Sequence, residues 1–182
     1  MSVTFSKPLI YGNIILFGGA ILFAVIFGIY QFANERERAS YKNNIPIYLD
    51  KPQNPLLNKY DVPKDSVVIS GKLIPVNLNS NAIDPVFSDL PKALKPEAPE
   101  QVKTVVWIKC QPKPSSLEYT DGTKGISNEC ELIFIDFLNK KFLWRDTVSV
   151  SPPNAKKRGD EIPTPDPGEN ILRYLEQIAR RE

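Results

Sequence analysis

The chain has 182 residues, enough for one domain of ordinary size plus an attached segment but short of two full domains. Lys and Arg number 23 against 21 acidic residues, and the net charge of +2 carries no long run of one sign, which argues against a nucleic-acid partner held by a basic face. With no histidine and two cysteines, the commonest general base is missing and a tetrahedral thiolate and imidazole zinc site cannot be built from one chain.

After a short tail, residues 1–8, the stretch from Leu9 to Phe32 holds no charged side chain. About 20 such residues in a helix cross a hydrocarbon core of ~30 Å, so residues 9–32 are expected to form a single transmembrane helix. The run is longer than the apolar part of a cleaved signal peptide, and Asn34-Glu35-Arg36 follows it in place of a small-residue cleavage site, so an uncleaved signal anchor is expected. Tyr11 and Tyr30 fall near its two ends, where amphipathic rings favour the headgroup layer. Ala20, Ala24 and Gly28 recur every four residues and line one face, where another membrane protein's helix could approach closely.

Residues 33–65 read as a stalk, because Pro46, Pro52, Pro55 and Pro63 interrupt helix and proline without glycine makes a linker extended. The apolar runs Ile45–Leu49 and Leu56-Leu57 are expected to pack back onto the domain or onto another protein. From residue 66 to 182 the pattern is that of a β-rich domain. Strands are predicted over Ser66–Val76, Lys103–Cys110, Glu129–Leu138 and Lys141–Val150, with a long loop Asn77–Gln101 after the first. Asn139-Lys140 makes a tight hairpin between the last two strands, and Asp121-Gly122 is a turn signal between the second and third. Residues 166–181 read as an amphipathic helix, with Asp166 as its cap, Pro167 at its first position and Glu169 placed for a capping box. Ile171, Leu172, Leu175, Ile178 and Ala179 share the face that needs a sheet to cover. The fold class is therefore α+β, mostly β: an antiparallel sheet or sandwich of at least four strands with one C-terminal helix.

Opposing Cys110 to Cys130 in an antiparallel pair also opposes Ile108 to Leu132 and Val106 to Phe134, which places all six residues on one apolar face. A Cys110–Cys130 disulfide fits that register, two buried thiols being the alternative, and a disulfide requires an oxidising compartment. The flanking cations point the other way: Arg36, Arg38 and Lys42 outnumber Lys7 and favour the domain inside. The cysteines are given the greater weight, and the domain is placed outside the cytoplasm.

Motifs for chemistry are sparse. Arg158-Gly159-Asp160 reads as a solvated turn, and Lys156-Lys157-Arg158 as an exposed loop able to touch anionic headgroups. Asp121 and Asp136 lie beside strands without a second carboxylate at acid/base spacing, and no phosphate, dinucleotide, nucleophile-elbow or calcium motif occurs. The aromatic set Trp107, Tyr119, Phe134, Phe137, Phe142 and Trp144 reads as sheet core before a binding surface. No enzyme, metal or cofactor is expected.

Gly71-Lys72, Leu90-Pro91, Thr104–Val106, Tyr119–Gly122, Ile135-Asp136, Pro152-Pro153 and Ile171 with Tyr174-Leu175 occur in an order that resembles a set of uncharacterised bacterial membrane-anchored proteins with a small β domain and a C-terminal helix. The resemblance spans about residues 66–178 and implies a domain type and no activity. The expected protein is a single-pass component of a bacterial plasma membrane whose partners are membrane lipid and other membrane proteins. Its leading function is non-catalytic accessory or interaction work, as a small subunit of a larger assembly. The alternative is an extracytoplasmic ligand-binding or sensing module, with a site formed by the Asn77–Gln101 and Ser151–Asp166 loops at one end of the sheet.

Overall fold

The structure is a computed structural model, and it describes residues 7–56, 69, 71–152 and 164–179, with side chains from Phe23 onward. The chain forms two compact units, Met1–Ala39 and Ser40–Glu182.

Helix α1 (Lys7–Lys42) makes up the first unit and contributes its last residues, Ser40–Lys42, to the second. In the first unit Phe23 and Phe27 stack one turn apart, and Phe23, Ile26, Ile29 and Phe32 are exposed. Among the described residues no helix is long and apolar enough to cross a membrane. The side chains of residues 9–22, more than half of the expected span, lie outside the described ones.

The second unit is a single five-stranded sheet in the order β2-β1-β3-β4-β5, made of β1 (Lys72–Asn77), β2 (Ala82–Ile83), β3 (Val102–Glu118), β4 (Lys124–Asp136) and β5 (Lys141–Val150). The α+β character and the terminal helix are as expected, but the sheet is mixed and there is no second sheet among the described residues. β1 runs parallel to β3, with Val76 beside Trp107. A parallel neighbour needs a crossover connection, and the 77–101 segment supplies it. That segment is ordered: it contains β2 and two short 3-10 turns, Pro85–Asp89 and Pro99–Gln101.

β3, β4 and β5 form the expected antiparallel meander, and the pairs Val106–Phe134, Ile108–Leu132 and Cys110–Cys130 all occur. Both hairpin strands extend further than their apolar runs. Polar residues from Gln111 to Glu118 pair with Lys124–Glu129, because a two-stranded ribbon in water needs only its ladder and its turn. Gly122 adopts φ +81° in that turn, and Asp121 accepts from the Thr123 amide and hydroxyl.

The sheet is buried on both faces. Helix α3 (Gly168–Ala179) lays Ile171, Leu175 and Ile178 on the face that carries Phe134, whose ring stacks on Trp144 and lies 6.4 Å from Tyr174. The opposite face carries Trp107 and is covered by residues expected to be stalk. Short helix α2 (Ile45–Tyr48) buries Tyr48 against Phe137, and Tyr41 and Pro52 are also buried. The run Ile45–Leu49 thus packs back onto the domain as expected, and residues 40–56 fall within the second unit in place of a free-standing stalk, while residues 57–65 lie outside the described ones. Tyr41 is recruited because its ring meets Phe87 at 5.0 Å and its hydroxyl donates to the Pro96 carbonyl at 2.7 Å.

Candidate functional site

Parity along β3 decides which way its backbone groups point. The Asn79 Nδ2 donates to the Cys110 carbonyl at 3.0 Å, and the Leu78 amide to that of Ile108 at 2.8 Å, so even-numbered residues of β3 aim their backbone groups away from β4. Cys110 and Cys130 therefore form a non-hydrogen-bonded pair, the antiparallel position where side chains approach most closely. Their sulfurs are 2.04 Å apart, and the bridge staples the base of the ribbon. Pro112 and Pro114 share this parity, so the positions lacking an N–H face the open edge and remove nothing from the ladder with β4.

A recess of about 490 Å³ opens beside the Cys110 end of this bridge. It is walled by Asn77 at the end of β1, Asp84, Val86 and Asp89 from the crossover, Asn128 of β4, and Asp166, Glu169, Ile171 and Leu172 at the start of α3. Two Asp-Pro pairs shape it. Asp84 caps the Pro85–Asp89 turn by accepting from the Val86 amide at 3.0 Å, and Asp166 accepts from the Gly168 amide at 2.9 Å. The second Asp84 oxygen accepts from Asn77 Nδ2 at 3.0 Å, while Asn77 Oδ1 accepts from the Asn79 and Ser80 amides. Asn128 Nδ2 donates to the Pro165 carbonyl at 3.3 Å, tying β4 to the chain entering α3.

Asp84 and Asp166 are thus committed to backbone geometry, and Glu169 pairs with Arg173 at 2.7 Å and does not close a capping box. Asp89 is the fourth carboxylate of these walls. They offer a shaped surface: apolar contact from Val86, Ile171 and Leu172, edged by the side-chain amides of Asn77 and Asn128 and by carboxylates. Among the described residues no group of three or more acidic or Cys side chains is placed to hold a metal ion.

The other sequence-derived sites are dispersed. Ala24 and Gly28 lie exposed on α1, and a Cβ at Gly28 would meet nothing within 4 Å, whereas the Ala20 side chain is outside the described residues. Lys156-Lys157 and Arg158-Gly159-Asp160 are also outside them. Asp136 is structural: it accepts from the Asn139 amide at 3.0 Å and its side-chain nitrogen at 2.7 Å, holding the β4–β5 turn. Trp107, Tyr119, Phe134, Phe142 and Trp144 are buried, as core reading requires. Burial pushes the Tyr48 hydroxyl up to about 12, and Lys140, hydrogen-bonded to exposed Asp50, holds that carboxyl below its ordinary range.

Sequence reasoning passed over Asn77, Asp84 and Asn128. The repeated Asp-Pro at 84 and 166 was the available signal, since each pair marks a cap and hence a turn that displays its neighbours. No family model, no curated protein and no solved structure matches the chain.

Proposed function

We propose that the protein is a non-catalytic binding module, held at a membrane by its N-terminal helix, with its β domain on the extracytoplasmic side. The observation that carries this reading is the recess, which draws on the crossover and the chain entering α3 and whose Asp84 and Asp166 already serve as caps. A concave wall of apolar side chains edged by amides and carboxylates suits recognition. Anchoring is supported by the uncharged run Leu9–Phe32, and the oxidising side by the opposed cysteines. Full-length protein in detergent micelles, screened by thermal shift, should be stabilised by a specific ligand class, and Leu172→Trp, which fills the recess, should abolish that shift. A screen that stabilises wild type and Leu172→Trp equally would refute the site.

A second reading, an accessory subunit of a membrane assembly, is favoured by the open backbone at Gly28 one turn from exposed Ala24. Native mass measurement after gentle detergent extraction tests it, since a strictly monomeric species would count against it.

A further inference from the structure

We propose that the end of the domain bearing the β4–β5 turn rests on an anionic phospholipid surface, with Leu138 and Ile47 dipping into the headgroup layer. The inference builds on the membrane-anchored reading.

Within the second unit just two large apolar side chains stand exposed among the described residues, Ile47 at 52% and Leu138 at 66%. They come from segments 90 residues apart, yet those segments are packed together. Tyr48, next to Ile47, meets the ring of Phe137, next to Leu138, at 5.2 Å, and Lys140 Nζ lies 2.8 Å from Asp50. One exposed apolar residue is ordinary, but two carried by segments that pack on each other single out this end of the domain. The tip is also held in shape, because Asp136 binds Asn139 twice and so fixes the turn that displays Leu138.

This tip lies at the end of the sheet where the chain enters the domain. Tyr41 binds the Pro96 carbonyl, the Leu94 carbonyl accepts from Leu73 at the start of β1, and Lys72 pairs with Val102 at the start of β3. At that same end the Phe137 amide donates to Lys103. The ribbon turn at Asp121-Gly122 is at the opposite end.

Chain length then bounds the distance to the bilayer. From Phe32, the end of the uncharged run, to Ser40, the start of the domain, there are eight steps of chain, at most about 28 Å fully extended. A domain on so short a lead keeps its entry end close to the headgroups. Lys51, Lys103, Lys140 and Lys141 are exposed at that end, where their stems can lie along the apolar tip while their ammonium groups meet phosphate. The acidic residues there are Asp50, which is paired with Lys140, Asp136, which holds the turn, and exposed Glu97 and Glu100; Lys42 and Lys72 add to the lysines at this end, so cations outnumber them.

The test uses full-length protein reconstituted into vesicles of phosphatidylcholine alone or with phosphatidylglycerol. An environment-sensitive fluorophore is attached at Leu138→Cys, with Ser116→Cys on the ribbon as control; both native cysteines are bridged, so labelling is site-directed. The expected result is emission shifted to shorter wavelength at Leu138→Cys in anionic vesicles, quenched by headgroup-labelled lipid, with no shift at Ser116→Cys. Water-like emission at Leu138→Cys in protein that resists carbonate extraction would overturn the inference and leave the anchor standing. A shift that grows with the protein-to-lipid ratio would assign the tip to a second copy and overturn it too. Protein released by carbonate would remove the anchored reading itself. If the labelled variant fails to fold, Leu138→Asp replaces it, with loss of hydrogen-exchange protection in the β4–β5 turn on vesicles as the readout. Protection equal to wild type in that variant would sink the inference.

Discussion

The indole N–H of Trp107 donates to the backbone carbonyl of Tyr48 at 2.8 Å, a buried bond between residues 59 apart in sequence. It fastens the segment that follows the N-terminal helix to the middle of the sheet. Trp107→Phe keeps an aromatic ring but leaves that carbonyl without its donor, and is expected to cost about 1–3 kcal/mol. Urea unfolding followed by circular dichroism measures it; an unchanged midpoint would mean that residues 40–56 dock without this bond.

Tyr48 also makes stability fall at alkaline pH. Its hydroxyl is held neutral by burial to about 12 in the folded protein, against an ordinary value of 10. The unfolded chain therefore releases this proton first, and folding free energy is lost as pH rises from about 10 towards 12, at up to about 1.4 kcal/mol per pH unit. Tyr48→Phe should lose less stability over this range than wild type in parallel urea titrations.

Reduction of the Cys110–Cys130 bridge should lower stability by about 3 kcal/mol, since the bridge closes a loop with a sequence separation of 20. The double variant Cys110→Ser/Cys130→Ser should match the reduced protein. Thiol labelling of denatured, unreduced protein isolated from its native source should find no reactive cysteine. Two reactive thiols would remove the support that the bridge lends to the proposed extracytoplasmic placement.

Asp84→Ala removes two accepted hydrogen bonds at the wall of the recess, and Asp166→Ala removes one at the start of α3. Costs of about 2 and about 1 kcal/mol follow from loss of the caps. A further variant tests that Asp84 acts through architecture: Asp84→Asn, which keeps an acceptor, should recover most of the stability lost in Asp84→Ala and, with it, the ligand-induced thermal shift.

The meander was legible in the sequence because its strands are runs of β-branched and aromatic residues bounded by turn signals, and a single opposition, Cys110 to Cys130, sets the β3–β4 register from Thr104 to Pro114. The direction of β1 was not legible. Leu73, Ile74, Pro75 and Val76 are all buried, so the run carries no alternation from which to judge its partner, and parallel pairing depends on a crossover of polar and proline-rich chain that reads as loop. Tyr41 and Tyr48 were hidden for a related reason. Each is an isolated ring among polar and proline residues, and its burial is decided by Phe87 and Phe137 far along the chain. Of the recess, the part drawn from Asn77–Gln101 was legible as a long loop, residues 153–163 of the second expected loop lie outside the described ones, and the walls come from cap geometry that composition does not display.

The prolines on the outer edge of the ribbon have a consequence for how these molecules can crowd. At high local concentration encounters between copies are frequent, and an unpaired strand edge is a template on which the next copy can zip. Along Gln111–Glu118 that template is interrupted at Pro112 and again at Pro114, so a growing ladder finds no donor at two successive outward positions. Along its β3 edge the ribbon can thus reach beyond the sheet and still decline a second copy of itself.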